Sequence, residues 1–271
     1  MLPDYLLAFN EALLLFQNKF PKKKWLNGFR NTLINDYSFF SARVEDSKLQ
    51  YGDTILFLNT ETKRAANINP LNLNLSSLLD ITNHQSVLKD VLDNLRNFKL
   101  TENTVKNIHR SLMSSPLVWE VEFKPELVGR YRNIPTVGSR FPHFENKEYN
   151  PHYNLEIIMA TYIDIFRNKL KDIDNTNTEK HLLTRIAYFH NKFLNEIHPF
   201  ADGNGRVCRI IIGAILMKNH CPPIFPEITT DEEQIEYIST IVKCEQNKSD
   251  EPLIAYFANG MTKYLLKRVN N

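Results

Sequence analysis

Residues 198 to 209 read His-Pro-Phe-Ala-Asp-Gly-Asn-Gly-Arg-Val-Cys-Arg, and no other stretch of the chain concentrates reactive groups so tightly. His198 is the side chain here that exchanges a proton near neutral pH, which makes it the candidate general base. Asp202 offers a hard oxygen, suited to a Mg²⁺ ion that bridges phosphates. Gly203, Asn204 and Gly205 permit backbone angles closed to other residues and stand where a helix is expected to begin. Unpaired N–H groups and the helix dipole can converge there on an anion. Arg206 and Arg209 project from neighbouring positions on that first turn and can fork onto phosphate oxygens. Phe200 carries no reactive group and is expected to anchor the turn to the core.

Two other chemistries fit less well. His190, His198 and Asp202 could act as metal ligands, but their spacing matches none of the common hydrolytic zinc signatures. The chain has no Gly-x-x-x-x-Gly-Lys-Ser/Thr run, which excludes a P-loop.

The turn needs rigid supports, and the flanking sequence supplies them. Ile186, Phe189, Phe193, Leu194 and Ile197 form an apolar helical stripe before it. Val207, Ile210, Ile211, Ala214 and Ile215 form another after it, so the motif joins two core helices.

Helical spacing recurs over 3–18, through Leu6, Leu7, Phe9, Leu13, Leu14 and Phe16, and over 27–43. It returns over 82–97 and over 101–113, the latter with Thr101 as candidate N-cap. The polar, Pro-punctuated stretch 67–74 predicts a loop. Val118 to Phe123 alternates apolar and polar residues, the period of a half-buried strand. Gly129, Pro135, Gly138, Pro142 and Pro151 follow, so a short β-hairpin or flap is expected within 117–150. Helices are expected again over 155–170, 180–196, 206–218, 231–245 and 251–268. The fold class is mainly α, with one small β element.

Charges nearly balance at a formal +2 over 271 residues, and basic runs such as Lys22-Lys23-Lys24 are short. Nucleic acid is therefore not an expected partner. Cys208, Cys221 and Cys244 form no CxxC, which suits a reduced, intracellular setting. The early apolar run Ala12–Phe16 is far too short to span a bilayer, and no signal-type core follows a basic start. The expectation is a soluble, cytoplasmic protein without a membrane partner.

The twelve residues match the Fic family motif, His-Pro-Phe-x-Asp/Glu-Gly-Asn-Gly/Lys-Arg-x-x-Arg, at every specified position. Ile108-His109-Arg110-Ser111-Leu112, Gly129-Arg130-Tyr131-Arg132, Ala187-Tyr188-Phe189-His190 and the helix with Glu236-Tyr237 stand in family-like order. The resemblance runs over roughly 30 to 265 and implies a Fic-type helical bundle with a hairpin flap at about 135–149 that aligns a target segment by strand addition. It also implies transfer of AMP from ATP, as co-substrate, to a Ser, Thr or Tyr hydroxyl of a target protein. His198 then resembles the general base and Asp202 the Mg²⁺ ligand. Gly203, Asn204 and Gly205 look like the anion cradle, and Arg206 and Arg209 like the phosphate clamps. Gly205 stands where a kinase branch of the family carries Lys, which favours nucleotidyl over phosphoryl transfer. Tyr237 either lines the adenine pocket or is a core tyrosine. A twofold dimer is compatible with the resemblance, though no interface is legible.

Many Fic proteins carry an inhibitory pattern, Ser/Thr-x-x-x-Glu-Gly/Asn, whose glutamate faces the second motif arginine. Ser41-Ala42-Arg43-Val44-Glu45-Asp46 resembles it, with Asp46 departing from the pattern. Glu45 is thus a candidate brake on Arg209, and Ser41 its companion; the plainer alternative is a helix-end glutamate paired with Lys48 or Arg43. The expected organisation is an N-terminal helical region, 1–100, containing the pattern at 41–46, and a Fic domain, 101–271. The rival functions are a de-AMPylase, a transferase of another nucleotide or of a phosphocholine group, and a nucleotide-binding module whose catalysis has lapsed.

Overall fold

Helices α1 (Asp4–Lys19) and α11 (Glu251–Asn270) bring the two ends of the chain side by side. Tyr5 bonds Glu251 at one end, and Lys19 Nζ donates to the Val269 carbonyl at 2.5 Å at the other, so the pair runs parallel. The computed structural model describes residues 1–46, 48–59, 75–119, 123–135 and 149–270. α1 buries Leu6, Phe9, Ala12, Leu13 and Phe16, whereas Leu7 and Leu14, assigned to the same stripe from spacing, face outward.

After a single turn, α2 (Lys22–Lys24), and a π-helical turn, Trp25–Phe29, comes α3 (Arg30–Glu45). Every residue of α3 from Leu33 to Val44 is buried, so this helix is enclosed on all sides. α4 (Tyr51–Asn59) lay outside the periodic pattern of the sequence. α5 (Leu75–Asp93) begins well before the expected 82. Its first turns carry Ser76, Ser77, Asp80, Thr82 and Asn83, which break the apolar period. Several of these polar groups find partners inside the fold: Asn83 on the Leu112 carbonyl, and Ser77 on Asp46. α6 (Glu102–Leu112) is capped as expected, with the Thr101 hydroxyl accepting from the Thr104 N–H at 3.1 Å.

The expected strand at 118–123 does not form over its described part. Val118 closes a 3₁₀ turn, Pro116–Val118, and a second turn follows at Pro125–Leu127. Proline opens both turns and removes an N–H that a ladder would need. Residues 120–122 and 136–148, which hold the rest of that strand and most of the expected flap, lie outside the described residues, as does the whole of the loop expected at 67–74. Among the described residues the fold is helical, without a strand.

α7 (Leu155–Lys169), α8 (Leu182–Asn191), α9 (Asn204–Lys218) and α10 (Asp231–Asn247) complete the bundle. α9 is buried from Arg206 to Met217 and lies against α3, α5, α6 and α8. The site-bearing turn therefore enters a helix held from several directions. The three cysteines are free and buried. No described helix is long and apolar enough to cross a membrane.

Candidate functional site

His198 is delivered by a local irregularity. The chain leaves α8 through a π-helical turn, Lys192–Ile197, and the His198 N–H bonds back to the Phe193 carbonyl at 2.9 Å. The extra residue in such a turn rotates the side chains beyond it away from the regular helical direction. His198 itself is left-handed, φ 48° and ψ 62°, a conformation costing a non-glycine residue about 1 kcal/mol or more. Arg132 holds the elbow in place. Its Nε donates to the His198 carbonyl at 2.8 Å, and its Nη2 to the carbonyls of Asn150 at 2.6 Å and Ile197 at 3.3 Å. Nη1 donates to Ile134 at 3.1 Å, so one buried guanidinium serves four backbone oxygens. His198 Nδ1 lies 3.0 Å from the Leu194 carbonyl. A carbonyl only accepts, so Nδ1 carries the hydrogen, and in the neutral form of the ring the lone pair falls on Nε2. The Tyr149 ring covers one imidazole face at 4.2 Å between centroids.

The loop itself is braced from inside. Phe200 is fully buried and stacks on His109, 3.9 Å between centroids and 3° from parallel. Asn204 accepts from the Phe200 N–H at 2.9 Å and donates to its carbonyl at 2.8 Å. Its side chain therefore holds the loop shut, and only its backbone is left to serve an anion. Gly203 has φ 77°, the left-handed region open to glycine. The Gly129 N–H donates to His109 Nδ1 at 2.8 Å, so His109 Nε2 carries the hydrogen and donates to the Asp202 carbonyl at 3.1 Å. Burial lowers the His109 pKa to about 4, consistent with this neutral bridge.

Asp202 accepts through Oδ1 from the Gly203 N–H at 2.5 Å and from Arg206 Nη2 at 3.1 Å. Its Oδ2 is buried without a hydrogen-bond partner among the described residues. A buried carboxylate oxygen left unpaired is costly, and a cation would satisfy it.

Both arginines meet acids from outside the motif. Arg209, 1% exposed, donates from Nε to the Ser41 hydroxyl at 2.7 Å and from Nη2 to the Ser41 carbonyl at 3.1 Å. Nη2 also reaches Glu45 Oε1 at 2.5 Å. Arg43, the alternative partner for Glu45, turns instead to Asp231 at 2.6 Å. Arg206 pairs through Nη1 with Asp80 of α5 and through Nη2 with Asp202. Burial opposes the charged form of both arginines, yet both are held above their ordinary pKa: Asp80, Asp202 and Glu45 outweigh it at Arg206, and Glu45 and Tyr237 at Arg209. Asp80 is raised by burial, with Arg206 pulling the other way. A Cβ on Gly205 would lie 2.6 Å from Glu45 Oε1 and 2.9 Å from Arg209 Nη1. Gly205 thus keeps open the space over the first turn of α9, and the Glu45 carboxylate stands in it.

Tyr237 is 1% exposed, with its hydroxyl 2.5 Å from His190 Nε2. It lies near enough to Arg209 to help hold that guanidinium above its ordinary pKa, and its burial leaves no exposed surface. The last turn of α3, which carries Glu45, is fastened by α10. Gln234 Nε2 donates to the carbonyls of Val44 at 2.7 Å and Arg43 at 3.3 Å.

The structure thus gathers His198, Asp202, Gly203, Asn204, Gly205, Arg206, Arg209, Ser41 and Glu45 around one turn, with Tyr237 behind it. Asp80 is not legible from sequence, because an acid in a polar helical turn carries no signal of its own. Arg132 and His109 stood in the family-like segments without a role, and Tyr149 at the end of the expected flap.

Residues 99–216 match the Fic/DOC family model. A 114-residue stretch is 36% identical to the protein adenylyltransferase fic-1 of Caenorhabditis elegans, covering 40% of this chain and 19% of that protein. Another of 69 residues is 39% identical to a probable protein adenylyltransferase of Aquifex aeolicus, covering 26% and 19%. The matched segments thus span about a fifth of those relatives. Among solved structures, a Fic domain-containing signaling protein of Bacteroides thetaiotaomicron aligns with a TM-score of 0.74 at 18% identity, covering 97% of each chain. C. elegans Fic-1 aligns with a TM-score of 0.72 at 18% identity, covering 98% of this chain and 71% of that one. At such identities the structures speak for the fold. Motif, family match and fold agree on one point: residues 99–216 of this chain form a Fic/DOC domain.

Proposed function

We propose that this chain is a protein adenylyltransferase, moving AMP from ATP to a Ser, Thr or Tyr hydroxyl of a target protein, with Glu45 as a built-in brake. The observation that carries this reading is an imidazole oriented through Nδ1 by the Leu194 carbonyl, on the same turn as two buried arginines and a helix N-terminus. The names of the relatives support nucleotidyl transfer.

His198 Nε2 takes the proton of the target hydroxyl as its oxygen attacks the α-phosphorus. The bond from that phosphorus to the bridging oxygen breaks, and pyrophosphate leaves. Arg206 and Arg209 hold the β- and γ-phosphate oxygens, and the first-turn N–H groups of α9, which the helix cannot pair, face the same charge. Asp202 Oδ2 is the oxygen that would hold Mg²⁺. When bound, that ion supplies charge neutralisation on the leaving pyrophosphate.

Glu45 competes with this arrangement, because its carboxylate takes the Arg209 donor and the space above Gly205. The test is mass spectrometry of the Glu45→Gly protein after incubation with ATP and Mg²⁺, alone and with cell lysate. An AMP adduct on a hydroxyl, absent from His198→Ala, is the expected result. A phosphate adduct, or none on any protein, overturns the proposal.

A further inference from the structure

We infer that Asp80 is a second internal inhibitor of the same cradle, closing Arg206 against phosphate while Glu45 closes Arg209. The inference rests on reading the two arginines as phosphate clamps.

Both terminal nitrogens of Arg206 already face acids. Nη1 is taken by Asp80 and Nη2 by Asp202, and the side chain is only 6% exposed. A phosphate that is to take a fork from both terminal nitrogens must displace one of the acids. Asp202 sits one helical turn away on the same loop and travels with Arg206. Asp80 does not: it comes from α5, 126 positions earlier, and can withdraw without disturbing the motif.

The charge balance points the same way. Glu45, Asp80 and Asp202 face Arg206 and Arg209, three carboxylates against two guanidiniums. The cluster carries one net negative charge where a polyphosphate must enter, and in a poorly solvated site that repulsion is weakly screened. Removing either outside acid brings the cluster to neutrality; removing both makes it cationic.

The two acids also share one mount. Glu45 ends α3 and Asp80 lies in α5, and these helices are tied together. Gln85 donates to Asn35 at 2.5 Å, Ser77 to Asp46 at 2.5 Å, and His84 stacks on Tyr37. Both helices precede residue 99, where the family segment begins. The opposite role, Asp80 orienting Arg206 to receive phosphate, predicts the opposite sign.

The test measures binding of inorganic tripolyphosphate by calorimetry to the full chain, as wild type, Asp80→Asn, Glu45→Gln and the double variant. Asp80→Ser serves as a second substitution, and thermal unfolding checks that each variant folds. The expected result is affinity about tenfold higher for Asp80→Asn and for Asp80→Ser, and higher again for the double variant. Unchanged or weaker binding by both Asp80 variants overturns the inference, as does failure of every variant to bind. Because tripolyphosphate binding requires no transfer, the outcomes separate. Tighter binding without any AMP adduct leaves this inference standing and sinks the adenylyltransferase reading, and the converse holds for adducts with unchanged binding.

Discussion

Arg209 Nη2 meets Glu45 Oε1 at 2.5 Å, joining residues 164 positions apart in a part-buried ion pair. Ser41, one helical turn before Glu45, receives the same guanidinium twice, so the last turn of α3 grips Arg209 through three contacts. Removing one partner of a buried pair leaves the other charge uncompensated. Glu45→Gly should therefore lose about 1–3 kcal/mol of stability, a drop in Tm of roughly 3–10 °C, while AMP transfer rises. Thermal unfolding and transfer measured on one preparation check both signs. Equal Tm and equal transfer in mutant and wild type would show that the pair neither stabilises nor inhibits.

The brake should also yield to a change that touches neither member of the pair. Gln234 satisfies the carbonyls of Arg43 and Val44 at the end of α3. Gln234→Ala leaves these orphaned and loosens the turn that carries Glu45, at a cost of about 1 kcal/mol. Transfer is expected to rise by a few-fold (roughly 2–5) over wild type, short of Glu45→Gly. A fall in transfer would place Gln234 in the catalytic machinery instead.

Arg132 provides a test of how His198 is held. Lysine keeps the charge but cannot reach four carbonyls with one planar fork. Arg132→Lys should lower kcat by about tenfold to a hundredfold with the KM for ATP little changed, since the misplaced group is the base and not the phosphate cradle. A rise in KM alone would contradict this.

Stability should follow the buried histidines with pH. Burial lowers His109 and His181 to about 4 and His190 to about 3. Each folded pKa lies below the unfolded value near 6.5, so the unfolded chain binds more protons below that pH. Their contribution is fully present above pH 6.5 and is lost as pH falls toward 4, by about 1.4 kcal/mol per unit for each group. Tm measured from pH 7 to 4.5 should fall more steeply for wild type than for His109→Gln, which lacks one such proton. Parallel curves would mean that His109 is not held neutral.

The sequence revealed the site better than its supports. The residues of 198–209 meet at the turn because the motif is contiguous, and Ser41 reaches it with Glu45 because the two stand one helical turn apart. Tyr237 is buried, and nothing in local spacing tells a pocket wall from a buried ring. Apolar periodicity located most helices but failed at the start of α5, where polar side chains point inward to satisfied partners. Asp80 is legible only in three dimensions, through Arg206.

The most direct test of the central claim is transfer of label from ATP carrying it on the α-phosphate, compared among wild type, Glu45→Gly and His198→Ala with Mg²⁺ and lysate present. Strong labelling by Glu45→Gly, weak labelling by wild type and none by His198→Ala is the predicted result. Labelling only from ATP carrying the label on the γ-phosphate, or labelling by His198→Ala equal to that of Glu45→Gly, would contradict it.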